Sequence, residues 1–279
     1  LSKEGYKVIC LNNSNKESFV NGVLYAPNNL VDSYKFKCKN LIIHRYGEIP
    51  KIAHKKAFMW ATDLNGVHNL KFYKLFEEKK LTLITLSNFH NDLFPKSWDK
   101  HVIYFMIPDW VYEYSIPENK KDYIYASSLM KGYSSTLPLW KYLKNEKLLS
   151  KTDILNVCLP GYDNPTQDIS EKDYGINYLG TLKFKEVIEL MAKCRGMFYI
   201  NTMPETFGIS VVLADILKTT PFVYGINGLG SLSELINNKN LTTDMQEYIN
   251  MFKTYSSLNE MPRNFRPKMV IKWWKKVLI

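Results

Sequence analysis

No apolar run in the sequence approaches the roughly 20 residues that a helix needs to cross a bilayer, so the chain reads as soluble. Cysteine is scarce. Cys10, Cys38, Cys158 and Cys194 are far apart, with no CxxC pair and no histidines at ligand spacing, which argues against a zinc site and a small disulfide scaffold. With 13 Gly and 12 Pro, the composition also excludes collagen-like or disordered architectures, and no internal repeat or low-complexity segment is visible. Nothing at the N-terminus resembles a signal peptide, although Leu1 rather than Met stands first. A cytoplasmic protein with reduced thiols is the expectation, with room for peripheral contact with a membrane.

The 279 residues are 46% hydrophobic and 23% charged, enough for two domains that each bury a core. A net charge of +10 beside 19 Tyr and 14 Phe invites a nucleic-acid reading. The lysines are spread along the chain rather than clustered, and no groove-reading motif is present, so no nucleic-acid partner is expected. A basic surface also suits a nucleoside diphosphate or an anionic membrane face.

Short apolar runs alternate with stretches of helical period, the pattern of βαβ units around parallel sheets. Residues 6–11, 40–44, 57–61, 81–85 and 101–107 are expected to be buried strands of one sheet. After a polar, Pro-bounded stretch at 108–121, a second sheet is expected from 123–126, 154–159, 176–179, 197–200 and 221–224, with helices at 137–149, 184–192 and 207–217. The tail from Arg266 to Ile279 places Met269, Ile271, Trp273, Trp274, Val277 and Leu278 on a helix. That helix either returns to the first domain or closes the second domain's sheet. In such sheets ligands bind beyond the carboxyl ends of the strands, so the loops after strands are where chemistry belongs.

Three loops stand out. In NTMPETFGISVV, Asn201 to Val212, Glu205 falls at a strand-to-helix junction with the amides of Phe207, Gly208 and Ile209 at a helix N-terminus, fit for a hydroxyl-rich or anionic ligand. The plainer reading of Glu205 is a cap. In YIYASSLMKGYSSTLPLW, Tyr123 to Trp140, two serines, Ser127 and Ser128, precede Lys131 and Gly132, a cation and a close backbone approach. Taken alone, the segment is better read as an ordinary loop with a solvated lysine. In PFVYGINGLGSLSEL, Pro221 to Leu235, Gly225, Gly228 and Gly230 make a turn before a helix carrying Glu234.

In this order and register, these segments resemble the C-terminal domain of the GT4-like glycosyltransferases, retaining enzymes of the GT-B fold. The resemblance implies an α/β protein of two Rossmann-like domains facing a central cleft. It implies an acceptor-side domain over 1–110 that lacks its first strand, a nucleotide-sugar domain over 111–262, and a terminal helix over 263–279 that packs back on the first. Lys131 would meet the donor diphosphate and Glu205 the donor sugar. Ser127, Ser128, Gly132, Thr202, Phe207, Gly208 and Ile209 would line the donor.

The second acid of the family's E-x7-E signature is replaced by Leu213. The nearest acid, Asp215, lies two residues on, about 200° round a helix. Another group then holds the nucleotide, or a local shift brings Asp215 round, or donor binding is weakened. In the first domain, IIHRYGEIP places Arg45 at a loop mouth. WATDLNG puts Thr62 and Asp63 where relatives carry a His-Asp pair, Asp63 orienting an acceptor or simply capping a helix. In LSNFHNDLF, Ser87 is expected to cap a helix, and His90 to lie at the surface.

The implied activity is sugar transfer from a UDP-, GDP- or dTDP-linked donor to a glycan, lipid or protein acceptor. No cofactor is implied, and no metal, since the sequence lacks the Asp-x-Asp with which GT-A enzymes hold a cation. The alternative is a catalytically impaired GT-B protein that binds a sugar or nucleotide as partner of an active enzyme.

Overall fold

The computed structural model describes residues 1–28, 37–44, 51–64, 70–163, 169–236, 240–254 and 262–279. They form two compact units. The first comprises residues 1–86, 91–103 and 268–279; the second comprises 87–90 and 104–267.

The first unit opens with β1 (Val8–Asn12), β2 (Ser18–Val20) and β3 (Val23–Pro27). Its other strands are β4 (Lys37–His44) and β5 (Ala53–Trp60), then β6 (Thr82–Thr85) after α1 (Leu70–Glu77), then β7 (Lys100–Val102) after α2 (Asn88–Asp92). Strands β4 to β7 form a parallel sheet in chain order. Neighbouring residues of a strand face opposite ways, and the core follows that alternation. Met59 and Leu83 join Phe72, Phe76 and Trp98 on one face. Phe58 and Ile84 pack on the other with Val270, Trp274 and Leu278 of the C-terminal helix.

The run at residues 6–11 does not belong to this sheet. β1 pairs in parallel with β3, and β3 in turn pairs antiparallel with β2, as a separate three-stranded sheet. The reason is a hairpin. Asn21 and Gly22 take φ of 52° and 77°, the two positive values that a tight two-residue turn needs, and they fold β2 onto β3. Strand pairing also ends earlier than expected after residue 101, at Val102.

The second unit continues with α3 (Asp109–Tyr112), β8 (Lys121–Ala126), α4 (Tyr133–Asn145), β9 (Leu155–Cys158), β10 (Ile176–Gly180), α5 (Phe184–Lys193), β11 (Cys194–Asn201), α6 (Ile209–Ile216), β12 (Thr220–Gly225), α7 (Leu232–Leu235), β13 (Leu241–Thr242) and α8 (Met245–Lys253). The last helix, α9 (Pro267–Leu278), carries the residues that pack in the first unit. Helix α4 starts four residues before the expected Leu137. Pro138 lies inside it, where the missing N–H costs one bond, rather than at its start.

All pairings in the second unit's sheet are parallel, in the order β10-β9-β8-β11-β12-β13. With β8 counted as first strand this is the 3-2-1-4-5-6 arrangement of a dinucleotide-binding sheet. Its core is aromatic: Phe252 stacks on Phe222 with ring centroids 4.3 Å apart and on Phe198 at 5.0 Å, beside Tyr123 and Trp140. The order reverses between β8 and β11, and in sheets of this kind ligands bind beyond the carboxyl ends of the strands at such a switch point.

Candidate functional site

The loop after β8 is shaped by its own strand. The Tyr125 hydroxyl donates to the Ser128 carbonyl at 2.6 Å and to that of Lys131 at 3.3 Å, and the Lys131 amide closes a turn onto Ser128 at 3.0 Å. A side chain at Gly132 would put its Cβ 2.0 Å from the carbonyl oxygen of Ile200 on β11, and the residue has φ of 84°. Only glycine allows that approach, and it brings Lys131 to the end of β11.

The loop after β11 is held by the turn after β12. Glu205 forms an isolated parallel bridge with Gly230, and the Ser231 amide donates to its carbonyl at 2.8 Å. The Asn227 side chain donates to the Thr202 carbonyl at 2.8 Å, and the Ile226 amide to that of Asn201 at 2.9 Å. Gly208 begins α6 with φ of 66°, and a Cβ there would lie 2.4 Å from the Leu232 side chain. No side chain caps this helix start. Phe207 is buried against Phe105 and Phe265, so its ring belongs to the core, whereas Ile209 is exposed.

These two loops bring Lys131 and Glu205 together. The Lys131 ammonium donates to Oε1 of Glu205 at 2.6 Å; the glutamate side chain is 8% exposed and the lysine side chain 44%. The Tyr199 hydroxyl donates to the same oxygen in a short bond. Ser127 in turn hydrogen-bonds the Tyr199 hydroxyl, so four side chains form one chain of contacts at the switch point. Burial, and then the adjacent carboxylate, push the Tyr199 phenol well above its ordinary value, which keeps it a proton donor. A buried carboxylate is tolerated only when paired in this way. The cluster presents a cation half open to water over a carboxylate anchored from below, suited to an anion and a hydroxyl at once.

Sequence reasoning missed Tyr199, which sits in an apolar strand run and carries no signal of its own. It also read Glu205 and Lys131 each as plausible alone in bland roles, as cap and as solvated lysine, and the direct ion pair between them replaces both. The remaining candidates lie elsewhere. Asp215 is buried on α6, and its charge is felt by the Tyr112 hydroxyl of α3. Leu213 is buried as well. Thr62 and Asp63 follow β5 in the first unit, with the Thr62 hydroxyl 3.4 Å from Nε2 of His44. Ser87 is buried and accepts the His90 amide at 3.1 Å, the capping bond expected of it. His90 is fully buried rather than at the surface, because the short helix α2 turns it inward. Arg45 lies outside the described residues. Among the described residues no cluster of His, Cys, Asp or Glu is disposed to hold a metal ion, and no helix is long and apolar enough to cross a membrane.

No protein-family model matches this chain, and no curated protein sequence does. Solved structures do. Anabaena HepE, in complex with UDP and glucose, matches with a TM-score of 0.51 and 16% identity over 72% of this chain and 62% of its own. A variant of S. aureus TarM, in complex with fondaparinux, α-GlcNAc-glycerol and UDP, matches with a TM-score of 0.58 and 11% identity over 94% of this chain and 62% of its own. AviGT4, a glycosyltransferase involved in avilamycin A biosynthesis, matches with a TM-score of 0.57 and 13% identity over 98% of this chain and 81% of its own. The chain thus spans about three fifths of the length of HepE and TarM. At such identities the likeness is one of fold, and the fold is α/β with two Rossmann-like domains, that of the GT-B glycosyltransferases.

Proposed function

We propose that this chain is a GT4-like glycosyltransferase that transfers a sugar from a nucleotide-diphosphate sugar to a glycan, lipid or protein acceptor, with retention and without a metal. The observation that carries the reading is the Lys131–Glu205 ion pair at the switch point of a 3-2-1-4-5-6 sheet. In this reading Lys131 and the amides at the start of α6 meet the diphosphate. As the glycosidic bond breaks, charge grows on the leaving phosphate, and a cation with helix-terminal amides aimed at it lowers the barrier. Glu205 accepts hydroxyls of the donor sugar. Residues 1–110, with Thr62, Asp63, Ser87 and Arg45, serve the acceptor, and residues 111–262 the donor. UDP in the HepE and TarM complexes supports a uridine nucleotide as the first donor to try.

A second reading, a GT-B protein that binds a nucleotide sugar without turnover, is favoured by Leu213, a buried aliphatic where the family's ribose-binding acid would stand.

Thermal-shift titration with UDP-, GDP- and dTDP-sugars tests the site. At least one should stabilise the parent, by about 2.7 kcal/mol at 100 times its Kd, and lose that effect in Glu205→Ala and Lys131→Ala. Equal stabilisation of parent and both variants would overturn the assignment. Binding without hydrolysis or transfer would select the second reading.

A further inference from the structure

Two donors share one oxygen of Glu205: the Lys131 ammonium, from a side chain 44% exposed, and the Tyr199 hydroxyl, from a residue 2% exposed. The two differ in what they are free to do. The lysine can swing toward water or a ligand. The tyrosine is fixed in β11 and held by Ser127. A lysine that neutralises a buried carboxylate is not available to an anion unless that carboxylate keeps another donor, because stripping the only partner from a buried charge is strongly unfavourable.

We infer that Tyr199 is a positioning residue that holds Glu205 through Oε1, so that the Lys131 ammonium can leave the carboxylate for an anionic ligand. The ligand's identity as a nucleoside diphosphate rests on the donor-site reading above; the exchange of partners does not. With Oε1 engaged, the second carboxylate oxygen remains oriented as an acceptor for a ligand hydroxyl. The phenol stays a donor because burial beside a carboxylate suppresses its ionisation.

The experiment has two arms on the full chain. In the first, hydrogen exchange of the β11 amides gives the opening constant of the second unit for the parent, Lys131→Met, Tyr199→Phe and the double variant. The double variant should open roughly tenfold or more beyond the product of the single effects, and adding Glu205→Gln should abolish that excess. If the double variant does not fold, the triple variant with Glu205→Gln should. Independent single effects, or a defect that persists with Glu205→Gln, would overturn the inference. In the second arm, calorimetric titration with UDP should show about tenfold weaker binding to Tyr199→Phe than to the parent, with the difference gone in the Glu205→Gln background. Unchanged UDP affinity in Tyr199→Phe would also overturn it. UDP binding to none of the proteins would instead sink the donor-site reading, and the first arm would still decide the role of Tyr199.

Discussion

At the scale of single residues, packing limits chemistry most severely at Gly132. A methyl group there meets the Ile200 carbonyl at 2.0 Å and must also adopt a positive φ. Positive φ costs roughly 1–2 kcal/mol and overpacking roughly 1–3, so Gly132→Ala should lower stability by about 2–5 kcal/mol. Gly161→Ala, whose Cβ would meet nothing nearer than 3.7 Å, should stay within about 0.5 kcal/mol. Urea midpoints of the two variants check the contrast; equal losses would mean that the loop before α4 can move. The glycine was legible from its place in the Lys131-Gly132 pair, but its neighbour was not. Nothing in a primary sequence says that a carbonyl 68 positions later lies against it, just as nothing in the MFYI run marks Tyr199 as a partner of Glu205.

At the scale of elements, α6 ends without a glycine or proline. Lys218 takes φ of 53°, and the half-buried Lys120 ammonium donates to the carbonyls of Leu217 and Lys218 at 2.7 and 2.9 Å and to the Thr219 hydroxyl at 3.1 Å. This cap satisfies carbonyls that the helix leaves unpaired and complements its dipole. Burial pulls the Lys120 pKa down to about 8. Between pH 8 and the ordinary lysine value of 10.5, the unfolded chain therefore holds a proton that the folded chain has shed, so Lys120 adds stability as pH rises, against the loss from the Cys158 and Cys194 thiols, which burial pushes up to about 12. On going from pH 7.5 to pH 10 the parent should therefore gain stability relative to Lys120→Met. Urea denaturation at pH 7.5 and pH 10 measures it; an equal pH response in parent and variant would show that Lys120 stays charged when folded. The elements of the second unit were legible because strands buried on both faces read as continuous apolar runs, and helix α6 follows one of them after a Gly. The β2–β3 hairpin was overlooked, although Asn21-Gly22 between apolar residues is a turn signal, because the flanking strand of three residues is fully exposed and lacks a hydrophobic pattern.

At the scale of the molecule, the two units bury separate cores, and the chain returns to the first of them through α9. Trp274 of α9 packs with Phe58, Ile84 and Ile103 of the first unit and meets the Trp60 ring edge-on at 5.7 Å. Trp274→Ala should cost the first unit about 3–5 kcal/mol. In hydrogen exchange the amides of β5 and β6 should lose protection while those of β8, β11 and β12 keep theirs; uniform loss across both sheets would show one cooperative unit. Part of the aromatic complement that made a nucleic-acid surface conceivable is used in these cores, with Tyr123, Phe198, Phe222 and Phe252 fully or nearly buried.

The sequence alone determined what short-range chemistry can determine: two runs of α/β elements, glycines at loop positions, and an acid and a lysine placed just beyond the ends of strands. Periodicity and turn propensity act over a few residues, so they leave their mark locally. Tertiary structure alone decided which strands are neighbours, and hence that the loops after β8 and β11 meet. It also decided that Lys131 pairs with Glu205, that the Tyr199 hydroxyl shares the same carboxylate oxygen, and that Asp215 is buried on α6. Those outcomes depend on pairing across scores of residues, where burial and the reversal of strand order, not local preference, set the energy.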